Sequence, residues 1–350
     1  MMNLNKKAIS TILCGFALSL LLSACTADKE APSPSERLTA SREQLRRQLL
    51  SGTKQWALTY FSRCDSLLFT SVDTRIGHGD YRERYGYGGH YMSLSFDERE
   101  VAMRGDWDES SITQPVTSPY DIELSTTLGL SFALHTYIHR LVNDRFSGSA
   151  DLLYQGVDQR GALIFTTSGY TNPGHEYIRL EPIVEGESAE EVVQRGYEHR
   201  KRFEDMRNPQ LLVREGERIH YHSRYFLKSE VSTNQRLLQE IRDKRYYLFL
   251  EPNTEDRFTI ERDNYRGFSA LGSGYVGTRE GLSFRPGFYV NAKLRVHDFE
   301  LREGRFVAEL VEVYDPIRRT TSIESRHLYP QGVPTGFVAE IYDAPIPTYR

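Results

Sequence analysis

From Trp56 to Pro182 the chain is written in short segments that alternate apolar and polar residues, with polar, turn-length stretches between them. Trp56, Leu58 and Tyr60 alternate with Ala57 and Thr59, the period of two that lays one face of a strand on a core. Tyr91–Phe96 and Val101–Met103 flank the polar stretch Asp97–Glu100, and Asp151–Tyr154 and Ala162–Phe165 flank a turn that ends in Gly161. Tyr177–Leu180 closes the set. Short strands joined by hairpin connections imply antiparallel sheet. The 22 tyrosines and 17 phenylalanines agree, since aromatic side chains suit a pleated, half-buried surface. The pattern resumes at Leu211, with a turn at Glu215-Gly216 and a further hairpin at Arg302-Glu303-Gly304.

Three segments break the rhythm. Ser35–Leu50 places Leu38, Leu45 and Leu49 at i, i+7 and i+11 ahead of Gly52, which predicts a helix with a C-terminal glycine. Glu187–Arg207, rich in Glu and Arg and ending before Asn208-Pro209, predicts a solvated helix between two lobes. Asn234–Lys244 predicts a short helix. The expected fold is mainly β: two antiparallel lobes, sandwich or barrel-like, with an N-terminal helix and a charged connecting helix. The expected divisions are a signal segment at 1–24, a tether at 25–37, β domains at 38–184 and 210–350, and a helical connector at 185–209. Gly-Leu-Ser-Phe occurs at Gly129–Phe132 and again at Gly281–Phe284, which an internal duplication would produce.

The first residues read as an export address. Lys6 and Lys7 precede Ala8–Leu22, an apolar run of about 15 residues, too short to span a bilayer comfortably. It runs into Leu22-Ser23-Ala24-Cys25, which matches the bacterial lipobox. That resemblance implies cleavage before Cys25 and acylation of its thiol and new amine, and two or more acyl chains anchor stably. Thr26–Arg37 is polar and proline-bearing, a tether. Asp28 and Glu30 resemble the acidic export signal of Bacteroides-type surface lipoproteins, so the expected location is the outer membrane, at the cell surface. With Cys14 lost and Cys25 lipidated, Cys64 is the remaining thiol, which excludes an intrachain disulfide and a C-x-x-C metal site. The full chain carries a net charge of −4, and loss of Lys6 and Lys7 makes it more acidic, so no nucleic-acid partner is expected.

Candidate sites each have a plainer reading. His135 and His139 are spaced i, i+4, and His220 and His222 flank Tyr221, yet neither pair sits in an H-E-x-x-H pattern. Asp106, Asp108 and Glu109 surround Trp107 without the twelve-position calcium-loop set. Gly272–Gly277 spells G-x-G-x-x-G inside a β region and lacks the βαβ context of a dinucleotide site. Neither a nucleophile elbow nor a Walker A loop is present, and no cofactor or metal is expected. Tyr81, Tyr85, Tyr87 and Trp107 lie in glycine-bearing polar segments; as rigid rings with polar tips they are the candidate ligand-binding residues, unless they pack against the sheet.

The order of segments, from the lipobox through Trp56–Tyr60, Gly88–Phe96, Ser118–Ile122 and Gly129–Phe132 to Ile164–Thr167 and Glu176–Leu180, resembles a family of Bacteroides-type lipoproteins classed as a domain of unknown function. The resemblance covers about Leu38 to Pro182 and implies an encoded neighbourhood of SusC/SusD-like outer-membrane uptake proteins as partners. Ala133-Leu134-His135-Thr136 stands where the family carries an Asp-Thr-Tyr-Asn-like stretch, so a ligand shaped by that stretch would differ here. The expectation is a non-catalytic, lipid-anchored protein that binds a nutrient (glycan, peptide or porphyrin) or a partner of an uptake system. A carboxylate-dependent hydrolase and a structural or adhesive surface component are the alternatives.

Overall fold

The computed structural model describes residues 33–62, 64, 67–69, 88–124, 127–143, 146, 148–167, 176–228, 247–252 and 270–345. Cys25, Tyr81, Tyr85, Tyr87 and the helix expected at Asn234–Lys244 lie outside the described residues.

Helix α1 covers Pro34–Leu49, within one residue of the sequence reading at each end. Its start is held by a reciprocal cap, in which Ser33 N donates to Glu36 Oε2 and Glu36 N donates to Ser33 Oγ. Leu45 and Leu49 are fully buried, and Trp56 Nε1 donates to the Leu49 carbonyl at 3.0 Å.

Eight antiparallel strands then close into a barrel. In circuit order they are β1 (Gln55–Phe61), β3 (His90–Phe96), β4 (Glu100–Gly105), β5 (Val116–Leu124), β6 (Leu128–Phe132), β7 (Leu152–Val157), β8 (Leu163–Thr166) and β9 (Tyr177–Pro182), with β9 returning to pair with β1. The barrel is filled rather than hollow: Trp56, Leu58, Tyr60, Met92, Leu94 and Met103 belong to one buried cluster. A short helix α2 (Glu109–Thr113) interrupts the β4–β5 connection, capped by Asp108.

A second, ten-stranded sheet curls on itself. It contains β2 (Leu67–Phe69), β10 (Pro209–Glu215), β11 (Arg218–Lys228), β12 (Tyr247–Pro252), β13 (Ala270–Gly277), β14 (Gly281–Tyr289), β15 (Leu294–Arg302), β16 (Arg305–Asp315), β17 (Thr320–Ser325) and β18 (Val333–Asp343). Its ladders form a circuit from β10 through β11, β12, β13, β14, β15, β16 and β18 back to β10. Strand β17 is wedged between β15 and β16, and its parallel ladder with β15 departs from the antiparallel expectation. Strand β2, drawn from the β1–β3 connection of the barrel, pairs with β13.

The two circuits share a plan. Each follows a helix, each closes first strand on last, and each carries Gly-Leu-Ser-Phe on its fifth strand, β6 and β14. Gly129 and Gly281 lie 152 residues apart, and β1 and β10 begin 154 residues apart. This is the correspondence that the internal duplication expected from the repeated motif would produce, with β2 and β17 as additions.

The second of these helices, α3 (Ala189–Asp205), is the connecting helix, but it is not a solvated rod. Ala189, Val192, Val193, Gly196, Arg200 and Phe203 form a buried stripe at helical spacing, and the charges other than Arg200 occupy the remaining face. Ala189 and Val192 share a cluster with Ala57, Phe61 and Tyr91 on the outside of the barrel and with Val276 of β13. Phe203 meets Tyr275, Phe284 and Phe306 edge-on, with ring centroids 4.9, 6.0 and 6.2 Å away. The helix is therefore a wedge between barrel and second sheet. This explains why β1 and β3 are buried on both faces although they alternate: one face meets the barrel core, the other the seam.

Candidate functional site

Strand β9 builds one wall of the seam. Ile178 and Leu180 point into the barrel, so Arg179 and Glu181 point out of it, and both are buried because the second sheet covers them. The β7–β8 turn adds Asp158 and Arg160; its register is set by Asp158 Oδ1, which accepts from the backbone N–H groups of Arg160 and Ala162. From the second sheet come Glu280 in the β13–β14 turn, Ser283 on β14, Asp298 on β15 and His327 in the 3₁₀ turn Arg326–Leu328.

Arg179 pairs with Asp158 and with Glu181, the latter at 3.1 Å. Arg160 Nη1 donates to the His327 carbonyl at 2.9 Å and lies 2.9 Å from His327 Nδ1, while its Nη2 is 3.8 Å from Glu280 Oε1. His327 Nε2 lies 3.2 Å from Glu181 Oε1. Arg279 bridges Glu280 at 2.8 Å and Glu187 at 3.2 Å. Behind this layer Arg285 grips both oxygens of Asp298 at 3.0 and 3.1 Å, and His297 links Asp298 (2.6 Å) to Glu324 (3.1 Å). The Arg285 guanidinium also sits 4.1 Å from the Tyr177 ring centroid, so β9 is tied to the second sheet by stacking as well.

Two spaces adjoin the network. A small chamber of about 10 Å³ is lined by polar groups such as Thr59, Glu181, Glu280, Ser283 and His327 and by Leu282 and Phe299. That volume suits a single water. A cleft of about 210 Å³ shares His327 and Asp298 with the chamber and is lined further out by Arg160, Glu300, Arg302, Glu309 and Arg326.

The charges fix one another's protonation. Burial opposes ionisation of Glu181, but the hydrogen bond from His327 and the charges of His327, Arg179 and Arg160 outweigh it and hold its pKa down to about 2. Asp298 is likewise buried, and Arg285 and His297 keep it well below the usual carboxylate range. Burial pushes His327 down, yet Glu181, Asp298 and Glu280 hold it above an ordinary imidazole. Depressed carboxylates stabilise the fold above their unfolded pKa and lose that contribution as pH falls through the folded value. The raised imidazole contributes below about pH 6.5 and fades as pH climbs through its folded value. Stability should therefore peak between about pH 5 and about pH 6.5, and the Glu181 contribution of about 3 kcal/mol should disappear between about pH 5 and about pH 2. Denaturant midpoints of the purified protein across that range check it; a flat profile down to about pH 3 in which Glu181→Gln behaves like the unaltered chain contradicts it.

Glu181, Glu280 and His327 bring a ligand atom each within 4.8 Å of one another. They do not form an open coordination site. The two carboxylates address different ring nitrogens of His327, and arginines already hold one oxygen of each. The chemistry on offer is charge recognition.

The sequence candidates are distributed elsewhere. The Trp107 ring is half-buried on the barrel, 4.3 Å from His90 and 5.7 Å from Phe146 between ring centroids, with the Arg140 guanidinium 5.7 Å from its centroid. Asp108 caps α2 through Ser111 N and Ser110 Oγ and is exposed with Glu109, whereas Asp106 is buried, so the three acids do not converge. His139 caps its own turn at Thr136, with His135 beside it at 5.3 Å. His220 lies by Glu215 and Phe337, and His222 by Gln210 and Tyr342. The Gly272–Gly277 motif is strand β13. Sequence reasoning did not find the seam network; its one local trace is Arg179-x-Glu181, two charges on the outward face of a strand whose inward face is apolar.

No curated protein and no solved structure shows a significant match to the chain. A family model does match, over residues 31–303, which reach from the start of α1 to the β15–β16 turn, and on that match the chain belongs to DUF4302, a domain of unknown function.

Proposed function

We propose that this protein is a lipid-anchored lipoprotein of the outer membrane, displayed at the cell surface, that binds a nutrient for a SusC/SusD-like uptake system and does not catalyse a reaction. The observation that carries the reading is the seam cleft, where Arg160, Arg302 and Arg326 face Asp298, Glu300 and Glu309. Charges of both signs lining one concave surface recognise a ligand with both signs, and among nutrients that is a short peptide. At about 210 Å³ the cleft falls below the roughly 300–1,000 Å³ of drug-sized sites, which disfavours a porphyrin. The anchor rests on Leu22–Cys25 and the tether that follows.

Co-purification tests the reading. The full chain, tagged at its C-terminus and extracted in mild detergent, should bring down an outer-membrane barrel or a SusD-like protein in stoichiometric amount. Recovery of the protein alone, with no peptide retained, would favour the adhesive alternative. The anchor has its own test. Cys25→Ser should move the protein out of the membrane pellet and remove acyl chains from its N-terminus by mass spectrometry, since stable attachment takes two or more chains. A Cys25→Ser protein that still pellets with its acyl mass intact refutes the lipobox assignment.

A further inference from the structure

We propose that the seam cleft takes up a carboxylate-bearing ligand together with one proton, and that His327 receives the proton; this deepens the binding reading above and depends on it. The His327 ring meets charged groups on both of its sides. Nε2 faces Glu181 Oε1 at 3.2 Å. Nδ1 faces Arg160 Nη1 at 2.9 Å and Glu280 Oε2 at 3.9 Å. A guanidinium nitrogen only donates, so the contact with Arg160 requires Nδ1 to accept, and the ring that fits it is neutral, with its hydrogen on Nε2.

Protonation at Nδ1 sets two donors against each other. The new N–H must turn to Glu280, and Glu280 is the carboxylate that Arg160 also approaches through Nη2, at 3.8 Å. A charged His327 thus competes with Arg160 on both counts, and Arg160, still donating to the His327 carbonyl, turns Nη2 toward the cleft that it already lines. Charges on every side take part: Asp158, Arg160, Arg179 and Glu181 from the barrel; Arg279, Glu280, Asp298, Glu309 and Arg326 from the second sheet.

The cleft's balance changes with that proton. Along the cleft wall itself Arg160, Arg302 and Arg326 match Asp298, Glu300 and Glu309 in number, and protonation of His327 adds one positive charge to that wall. A ligand carboxylate complements that added charge, and a guanidinium is the side chain shaped to hold it. Proton and carboxylate each favour the other's binding.

Triglycine and its C-terminal amide, titrated calorimetrically into the detergent-solubilised full chain, test this. Triglycine should bind with affinity rising by up to about tenfold per pH unit as pH falls from about 9 toward the raised His327 value, the slope of one linked proton, and levelling off below it, and the amide should bind at least about tenfold more weakly. His327→Gln should flatten the pH dependence; if that variant fails to fold, the comparison of acid with amide on the unaltered protein still decides. Equal binding of acid and amide, or pH-independent binding of triglycine, overturns the inference and leaves the binding reading intact. No binding of triglycine at any pH also overturns it, and co-purification then decides separately whether the protein serves an uptake system.

Discussion

Replacing Gly277 by alanine should destabilise the protein by about 3 kcal/mol or more. A Cβ built on Gly277 would stand 1.9 Å from the Gly196 carbonyl oxygen and 2.8 Å from Arg200 N, both backbone atoms of α3. Backbone in a helix cannot step aside as a side-chain tip can. The reciprocal position is equally tight: a Cβ on Gly196 meets Tyr91 Cδ1 at 2.5 Å and the Gly277 carbonyl oxygen at 2.9 Å. Helix and strand touch through two glycines, and this contact sets how deeply α3 sits between barrel and second sheet. Shifting the helix outward would uncover Val192, Val193 and Phe203, all fully buried, at roughly 1.5–3 kcal/mol for each side chain exposed. Gly161→Ala is the control. Gly161 has φ +79° and open space where its Cβ would go, so its cost is that of a left-handed backbone, about 1–2 kcal/mol. Denaturant unfolding of the three proteins separates the effects. If Gly277→Ala costs no more than Gly161→Ala, the wedge does not hold the two sheets.

How much of this is legible in the sequence depends on the range over which each signal acts. Strand β1 is readable because Trp56, Leu58 and Tyr60 alternate locally, and α1 because Leu45 and Leu49 are one turn apart. The choice of barrel over sandwich is not, since the closing ladder of β1 on β9 joins segments about 120 residues apart and no local pattern specifies it. Helix α3 can be located, but its high mean charge suggests the wrong setting. Ala189, Val192, Val193, Gly196 and Phe203 already spell an apolar stripe at helical spacing, with a glycine marking close approach. Beyond the local trace of Arg179-x-Glu181, the seam network is not legible in the sequence. Arg160 and His327 are 167 positions apart, and their neighbours come from β9, the β13–β14 turn and β15. Single Arg and Glu residues in an acidic chain look alike until the fold brings them together. The weak repeat of Gly-Leu-Ser-Phe is the most informative short motif, because it marks the same strand of two matching circuits.

Asp298→Ala should cost about 3–5 kcal/mol, more than removal of any exposed ion pair in the molecule. The reason lies in what remains. Arg285 is buried on β14, gives Nη1 to the Phe284 carbonyl at 2.7 Å, and directs Nη2 at both Asp298 oxygens. Without the carboxylate its charge stays in a low-dielectric seam beside Tyr177, stripped of the counterion that offset its burial. His297 loses its 2.6 Å partner at the same time, and its remaining carboxylate contact, Glu324, is already shared with Arg295. Arg302, half-exposed and paired with Glu300 and Glu309, gives the contrast: Arg302→Ala should cost no more than about 1 kcal/mol, because solvent replaces what the pair supplied. The double variant Asp298→Leu with Arg285→Leu distinguishes a stranded charge from lost packing. If the cost comes from the stranded guanidinium, removing both partners should recover a large part of the loss, as apolar replacement of buried pairs commonly does. If the double variant is as unstable as the sum of the single ones, the two residues act independently, and the seam owes its strength to the apolar contacts of α3 rather than to its ions.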